Sequence, residues 1–469
     1  MSWKKLGLLC GLFCFLGAPL VFGQDQGGTF QMLELKEENA RLKERVETLE
    51  KSLGEIKDMI SQKSTEKAAA PVEEKKPAKK DDKVAMKSKY GVDFYGYFKL
   101  DMAQDDSAVN IGNFVRWVPS EATKGHDSHF FMSANSSRFG FNFKGPEAGK
   151  AKVSGNYEFD LFSNAAPSPE NSAIARTRHA FLQVDWPEED ISLIGGQTWD
   201  LVGMQNPTQL NYPASWWAGN IGFRHPQLRI SKGFKTGDKS KLLLQLAAVR
   251  NIGDTGALNL ANTDTGSDSG HPSVQGRVSL TFPTTKNLKA TIGVFGHKGR
   301  DEVDYNNKGD STHVDTNSIG TDINIPFTDK IAVKGELWKG ENLDDFFGGI
   351  GQGIILNSAS GTYVISGAYT YGGVFNYTKP IKSQGGWWEF NFGPFAKWRY
   401  NVGLGVDNPD DDILPNGARA KNTSKWLNAM YDLNEAVQIG LEYSRWETEY
   451  KNGPDGNNTR LQSALIYKF

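Results

Sequence analysis

Seven basic side chains lie on the polar side of a two-residue alternation: Lys99, Arg138, Arg229, Arg277, Lys334, Lys397 and Arg399. Five acids, Asp101, Glu158, Asp160, Glu336 and Glu442, share that side. Such groups bind and orient ions; they do not by themselves make or break covalent bonds. A guanidinium offers paired donors to a carboxylate. Facing basic and acidic surfaces also set up a transverse field that turns dipolar solutes. The chain offers no rival catalytic arrangement, having no P-loop, no G-x-S-x-G and no H-E-x-x-H. His126-Asp127-Ser128-His129 has a metal-like spacing but no further ligand nearby, and Asp410-Asp411-Asp412 reads as a solvated loop. The glycine-rich run Gly348 to Gly353 lacks the strand–turn–helix setting of a phosphate site. No enzyme activity, cofactor or metal is expected.

The element that must position these charges is a β-strand, because only a period of two separates the faces in this way. Val92, Phe94, Gly96, Phe98 and Leu100 alternate with Asp93, Tyr95, Tyr97, Lys99 and Asp101. Phe139, Phe141 and Phe143 alternate with Arg138, Gly140, Asn142 and Lys144, and the beat returns at 153–161, 274–282, 331–337, 398–406 and 437–443. Aromatics make up 12% and glycines number 51, yet mean hydropathy is −0.50 and net charge −2. That excludes a bundle of membrane helices, each needing about 20 apolar residues, and gives no basic excess for nucleic acid. It suits a sheet with hydrocarbon on one face and water on the other. Such a sheet must close, since an open edge in lipid leaves backbone groups unpaired.

Seven short polar turns, near residues 145–147, 187–189, 236–238, 284–286, 327–329, 393–395 and 432–434, join pairs of strands. With a first strand at about 91–102 and a last at 460–469, the expectation is an all-β transmembrane barrel of about 16 antiparallel strands. Eight longer loops alternate with the turns, at roughly 103–128, 163–174, 200–222, 251–271, 300–313, 341–383, 407–423 and 451–459. The strand-like segment 361–377 is assigned to a hairpin within the longest loop. Loop 200–222 is the expected constriction. It carries Asp200, Asn206, Tyr212, Trp216 and Trp217, and its prolines and aromatics favour packing inward over waving in water. Arg138, Arg178, Arg224 and Arg229 are placed at or near that narrow zone, among the pore-lining Arg277, Lys334, Arg399, Glu158, Asp160 and Glu336. The strand ending Leu461, Ser463, Leu465, Tyr467, Phe469 has the form of a terminal signal for outer-membrane assembly, with Phe469 at its end.

The first 89 residues read differently. Residues 1–23, with Lys4, Lys5 and an apolar run from Leu6 to Val21, form an expected secretory signal peptide. Cys10 and Cys14 both lie within it, so the mature chain would have neither disulfide nor reactive thiol. Residues 24–63 form a short α-helical coiled coil. From Met32, heptad positions a and d hold Leu35, Asn39, Leu42, Val46, Leu49, Leu53, Ile56 and Ile60. Glu38 would meet Lys43 and Arg45 would meet Glu50 in a parallel assembly. Heptads alone leave dimer and trimer open; a barrel of porin size favours a homotrimer. Residues 64–89, with eight Lys against five acids plus Pro71 and Pro77, read as a disordered tether leading to the barrel at 90–469. Its lysines also fit contact with peptidoglycan.

Five runs resemble the DcaP-like trimeric porins: Ser137-Arg138-Phe139-Gly140-Phe141, Thr177-Arg178-His179-Ala180-Phe181, Gly196-Gln197-Thr198-Trp199-Asp200, Gly222-Phe223-Arg224-His225-Pro226-Gln227 and Gly405-Val406-Asp407-Asn408-Pro409. The resemblance covers most of 90–469 and implies a 16-stranded outer-membrane homotrimer. Such a trimer passes small hydrophilic solutes and leans toward anions such as dicarboxylates. Its setting would be outer-membrane lipid and lipopolysaccharide, with the coiled coil in the periplasm. Phosphate-selective porins share this layout and are the nearest rival reading; a tether between outer membrane and peptidoglycan is another.

Overall fold

The computed structural model describes residues 90–469 apart from 111–112, 125, 163–172, 253–268, 305–310, 359–362 and 366–374. The coiled-coil core positions Leu35, Asn39, Leu42, Val46, Leu49, Leu53, Ile56 and Ile60 lie outside these described residues.

The wall begins with β1 (Val92–Asp105), β2 (His129–Ser133), β3 (Arg138–Lys144), β4 (Lys152–Asp160), β5 (Arg176–Trp186) and β6 (Ile191–Trp199). It continues through β7 (Arg224–Lys235), β8 (Lys241–Val249), β9 (Ser273–Pro283), β10 (Lys289–Asp304), β11 (Ser311–Pro326) and β12 (Ile331–Glu341). A separate three-stranded sheet follows, with β13 (Ile354–Ser358) between β14 (Tyr363–Ile365) and β15 (Phe375–Pro380). The wall resumes with β16 (Lys382–Phe395), β17 (Trp398–Pro409), β18 (Arg419–Asp432), β19 (Val437–Tyr450) and β20 (Gly456–Lys468). Neighbours in the wall are antiparallel, and β20 pairs back onto β1 from Lys468↔Tyr97 to Arg460↔Asp105. The sheet is closed.

β2 and β3 are two halves of one wall strand. Both pair with β1, β2 along its upper part from Asp101 and β3 along its lower part up to Tyr97. The break falls on Ala134-Asn135-Ser136-Ser137, small polar residues that turn the chain through Ser137 N→Ala134 O. Lys99 N–H, deprived of a ladder partner there, donates to Ser137 Oγ at 3.0 Å. Counting that pair once, the barrel has 16 strands, as the turn spacing predicts. Of the segment 361–377, the described residues 363–365 and 375–377 contribute no wall strand; they fall in the separate sheet, where β14 and β15 each pair with β13. Strands beside several long loops run further than expected: β10 and β11 reach Asp304 and Ser311, and β19 and β20 leave only 451–455 between them.

Burial is inverted relative to a water-soluble domain. Phe98, Leu228, Leu246, Leu427, Leu441 and Leu461 are each more than half exposed, while Asp105, Asp160, Arg224, Asp322, Glu389 and Arg460 are fully buried. The outward face is mostly apolar and the inward face mostly polar, alternating along the same strands, although Phe295, Trp338, Trp387, Trp426 and Trp446 also point inward. Among the described residues no helix is long and apolar enough to cross a bilayer. Outward rings are densest along the closing seam. Phe469 lies 5.1 Å from Phe94 and 5.3 Å from Phe98, and Phe98 is 5.6 Å from Phe139, which stacks on Phe159 at 5.3 Å. Phe469 closes the ladder as well, exchanging both backbone hydrogen bonds with Gly96.

Candidate functional site: the inserted loops and their charged wall

The chain between Trp199 and Arg224 folds into the barrel. Its neck is closed by Asp200, whose carboxylate accepts from Phe223 N–H at 2.9 Å and lies 2.9 Å from His225 Nδ1. Gln275 adds two bonds, accepting from Leu201 N–H and donating to Asp200. Gln227 donates to the carbonyls of Thr198 and Trp199. Leu201, Val202, Leu210, Trp216, Trp217, Ala218 and Ile221 are buried by the fold, so Trp216 and Trp217 lie inside the barrel rather than in an outward girdle. Trp216, Trp217, Ile350 and the partly buried Trp117, Trp199, Phe223 and Phe347 form one apolar cluster.

The opposite wall holds the loop by its main chain. Glu336 on β12 accepts from Gln205 N–H at 2.8 Å, and Glu389 on β16 accepts from Thr208 N–H at 2.5 Å. Glu442 on β19 accepts from Leu210 N–H at 2.7 Å and Asn211 N–H at 3.3 Å. Carbonyls of the same stretch are also engaged: Lys334 donates to Asn206 O, Asn428 to Thr208 O, and Lys99 to Leu210 O. Further on, Gly219 (φ 112°) lies so close to the wall that an added Cβ would sit 2.2 Å from Gly386 O. A Cβ on Gly405 would meet Ala218 O at the same distance. Only glycine fits at either contact.

Two further loops insert beside it. Val115 and Asn211 exchange a reciprocal pair of bonds, Asn113 O accepts from Arg460, and Val118 N–H donates to Thr448. In the segment after β12, Leu343 and Phe346 pack with Val202, Ile221, Phe295 and Trp338, and Gly222 N–H donates to Phe346 O. Reading from the sequence places neither of these loops inside. The available signal is Trp117, Leu343, Phe346, Phe347 and Ile350, too apolar for a water-exposed loop.

A cluster of arginines faces these anchors from β3, β5 and β7. Arg178 is 3% exposed; its Nε donates to Glu158 at 2.7 Å and its Nη1 to Asp160 at 2.9 Å. Arg176, which sequence reasoning misses, grips Asp160 with two bonds of 3.1 and 2.8 Å. Tyr212 of the inserted loop donates to the same carboxylate at 2.7 Å. Arg138 Nε lies 3.5 Å from Glu158, whose other oxygen accepts from Tyr95. Arg224 is fully buried, its guanidinium 4.5 Å from the Trp199 ring and 4.6 Å from that of Phe223.

The remaining expected pore residues disperse. Arg277 forms a two-bond pair with Asp322. Arg229 is spent on Gln227 and the carbonyl of Trp199. Arg399 pairs with Asp432 at 2.8 Å, near a turn between strands and away from the inserted loop. Glu336 is an anchor for the loop rather than an open lumen charge, with 1% exposure. Around the loop, the cations left partly open include Arg138, Arg176 and Lys334, with 28%, 21% and 21% of their side chains exposed, and Arg116 and Arg419 are also only partly buried. The carboxylates beside them are closed off: Glu158 is 6% exposed, Glu442 1%, and Asp160 and Glu389 fully buried. The residual surface charge at this level is therefore positive.

No protein-family model and no curated protein sequence matches the chain. The crystal structure of the outer membrane channel DcaP of Acinetobacter baumannii does, with a TM-score of 0.62 over 82% of this chain and 99% of that one, at 17% identity. The fold is that of DcaP. An anion-selective porin from Comamonas acidovorans also aligns, at TM-score 0.48 and 11% identity over 81% of this chain and all of that one. So does OmpF of Salmonella typhi, at 0.49 and 12% over 81% of this chain and 98% of that one.

The anchoring carboxylates lend themselves to a direct test. Replacing Glu442 with Ala strands the amides of Leu210 and Asn211 and the side-chain amide of Asn428. That costs the loop attachment about 2–4 kcal/mol. The expected result is a noisier single-channel current with frequent sublevels, whereas Glu442→Gln, which keeps an acceptor, stays quiet. Equal noise in wild type and Glu442→Ala would mean that the loop is held elsewhere.

Proposed function

We propose that this chain is an outer-membrane porin, a water-filled channel for passive diffusion of small hydrophilic solutes with a preference for anions such as dicarboxylates. The observation that carries the preference is the asymmetry of open charge around the inserted loop. Arg138, Arg176 and Lys334 present surface to a passing solute, and the neighbouring carboxylates do not. Guanidinium pairs suit a carboxylate in geometry as well as sign. The inverted burial and closed wall support a membrane setting, and the likeness to the DcaP fold agrees with it. On this reading the chain carries a cleaved signal peptide and assembles as a homotrimer with its coiled coil and tether in the periplasm. Reversal potentials of the purified protein in a planar bilayer under a KCl gradient test the selectivity. The expected sign is that of chloride preference, with reversible block by succinate on the same bilayer. A potential of the opposite sign overturns the anionic reading.

A further inference from the structure

Three stretches of chain meet at the long-loop end of the barrel around a group of buried oxygens. Asp301 lies near the end of β10, Asn251 two residues beyond β8, and Asn342 and Asp344 in the segment that follows β12. All four side chains are shut away from water, with exposures of 3%, 2%, 1% and 7% in that order. Asn342 donates from Nδ2 to Asp301 Oδ2 at 2.7 Å. That bond sets the amide's orientation and leaves its Oδ1 as an acceptor on the other side. Among the described residues Asn342 Oδ1 makes no hydrogen bond, nor does Asp301 Oδ1 or either polar atom of the Asn251 amide. Asn251 nonetheless stands beside the Asp301 carboxylate, and the charge that acts most on Asp301 is that of another acid, Asp344.

Asn342 Oδ1 and Asp344 Oδ1 come together over Gly353. A Cβ added there would sit 2.4 Å from the first oxygen and 2.0 Å from the second, so glycine alone leaves their shared space open. The backbone holds this arrangement from several directions. Asn342 takes a positive φ of 51°. Its N–H donates to Ile381 O at 2.9 Å, and its carbonyl accepts from Thr316 Oγ1 at 2.7 Å. Ile381 N–H in turn donates to Gly353 O at 2.7 Å. An amide oxygen held against a carboxylate oxygen, with a second carboxylate oxygen unsatisfied beside them, is an arrangement that a cation relieves.

We infer that Asp301, Asn342 and Asp344, with Asn251 at their side, form a calcium site. The ligand atoms are all hard oxygens, which suits calcium or magnesium over a transition metal. His297, which shares Thr316 with Asn342, spends both ring nitrogens on Ser318 and Thr316. Magnesium keeps several waters and demands a regular octahedron, whereas calcium accepts an irregular, dry set of carboxylate and amide oxygens. The ion ties the ends of β8 and β10 to the segment after β12. That segment carries Leu343 and Phe346 onto Val202 and Ile221 of the inserted loop, so the metal braces the constriction from behind. The sequence gives no sign of the site because its ligands come from three separate segments. The assignment is independent of the channel's selectivity.

The test is equilibrium dialysis of the full chain, refolded in detergent without lipopolysaccharide, against radioactive calcium at neutral pH. One tightly held ion per chain is expected. Asp301→Asn/Asp344→Asn should weaken its binding at least about tenfold. Gly353→Ala, which keeps every ligand but fills their space, should weaken it too. The exposed trio Asp410, Asp411 and Asp412 also gathers carboxylates, so changing all three to Asn serves as the control and should leave the tight ion in place. The calcium chelator EGTA should lower the temperature at which the compact form disappears on gels in wild type and not in the double variant. A wild type that takes up no calcium overturns the site in favour of a proton shared by Asp301 and Asp344. Binding that survives both the double change and Gly353→Ala, or that vanishes in the control, overturns it as well. If unheated gels show that the double variant does not fold, Asp301→Asn alone and Gly353→Ala carry the comparison, and wild-type affinity in both rejects the site.

Discussion

Excising residues 206–217 and bridging the gap with two glycines is expected to raise single-channel conductance several-fold and to bring the proposed anion preference close to neutrality. The excision leaves the neck intact, because Asp200, His225, Gln227 and Gln275 lie outside it. It removes the segment that Glu389 and Glu442 hold across the lumen and frees both carboxylates to face water. The channel thus loses an obstruction and gains negative surface in one step, so both observables move together. Conductance unchanged within error would place the solute path away from the inserted loop. A rise in conductance with undiminished chloride preference would mean that the selectivity resides in the arginine wall alone. The folded state of the variant is checked by its heat-modifiable migration, since the wall ladder does not depend on the excised residues.

Replacing Arg178 with Ala is expected to have the largest effect of any single substitution. Two buried carboxylates depend on this side chain, Glu158 at 2.7 Å and Asp160 at 2.9 Å. Breaking a buried pair from one side leaves the partner charge without compensation, which costs about 3–5 kcal/mol. Arg176 still holds Asp160, and Tyr95 still donates to Glu158. The loss therefore falls near the lower end, about 3 kcal/mol. The temperature at which the compact form disappears on unheated-to-heated gel series falls accordingly, and the reversal potential moves toward cations. Arg178→Lys keeps the charge but cannot reach both acids with paired donors, so it falls between wild type and Ala in both readouts. Wild-type stability in Arg178→Ala would show that Arg176 alone neutralises the cluster.

Most of the wall was legible from parity; Lys397, expected to face inward, instead lies exposed in the turn between β16 and β17 and donates to the carbonyl of Leu433, because the strand ends before it. Parity assigns Lys99, Arg138, Glu158, Asp160, Arg277, Lys334, Glu336 and Glu442 to the inside, and all of them face inward, because a strand in a closed sheet has no freedom to turn a side chain to the other face. What parity cannot supply is the partner. Glu336 and Glu442 look like solvated lumen charges from the strand pattern, yet they bond to backbone amides more than a hundred residues away along the chain. No local pattern encodes such a contact. Arg176 escapes for a different reason: β4 and β5 shift register between Glu158 and Phe159, which brings the strand's first residue onto Asp160. The motif residues Thr198, Trp199, Asp200, His225 and Gln227 stand out in sequence and prove to share one job, closing the neck of the loop.

The carboxylates that suspend the loop grip main-chain amides, a group that every residue except proline carries. Pro207 sits between two gripped positions, at Gln205 and Thr208, and is itself skipped. The carboxylate grip itself is thereby independent of which side chains the gripped positions carry, while Gln205, Thr208 and Gln209 add bonds of their own with Asp322, Lys334 and Ser215. Substitutions at Gln205, Thr208 or Gln209 can alter what the passage prefers while the scaffold persists, so selection can retune solute choice in a lineage without first relaxing the architecture that suspends it.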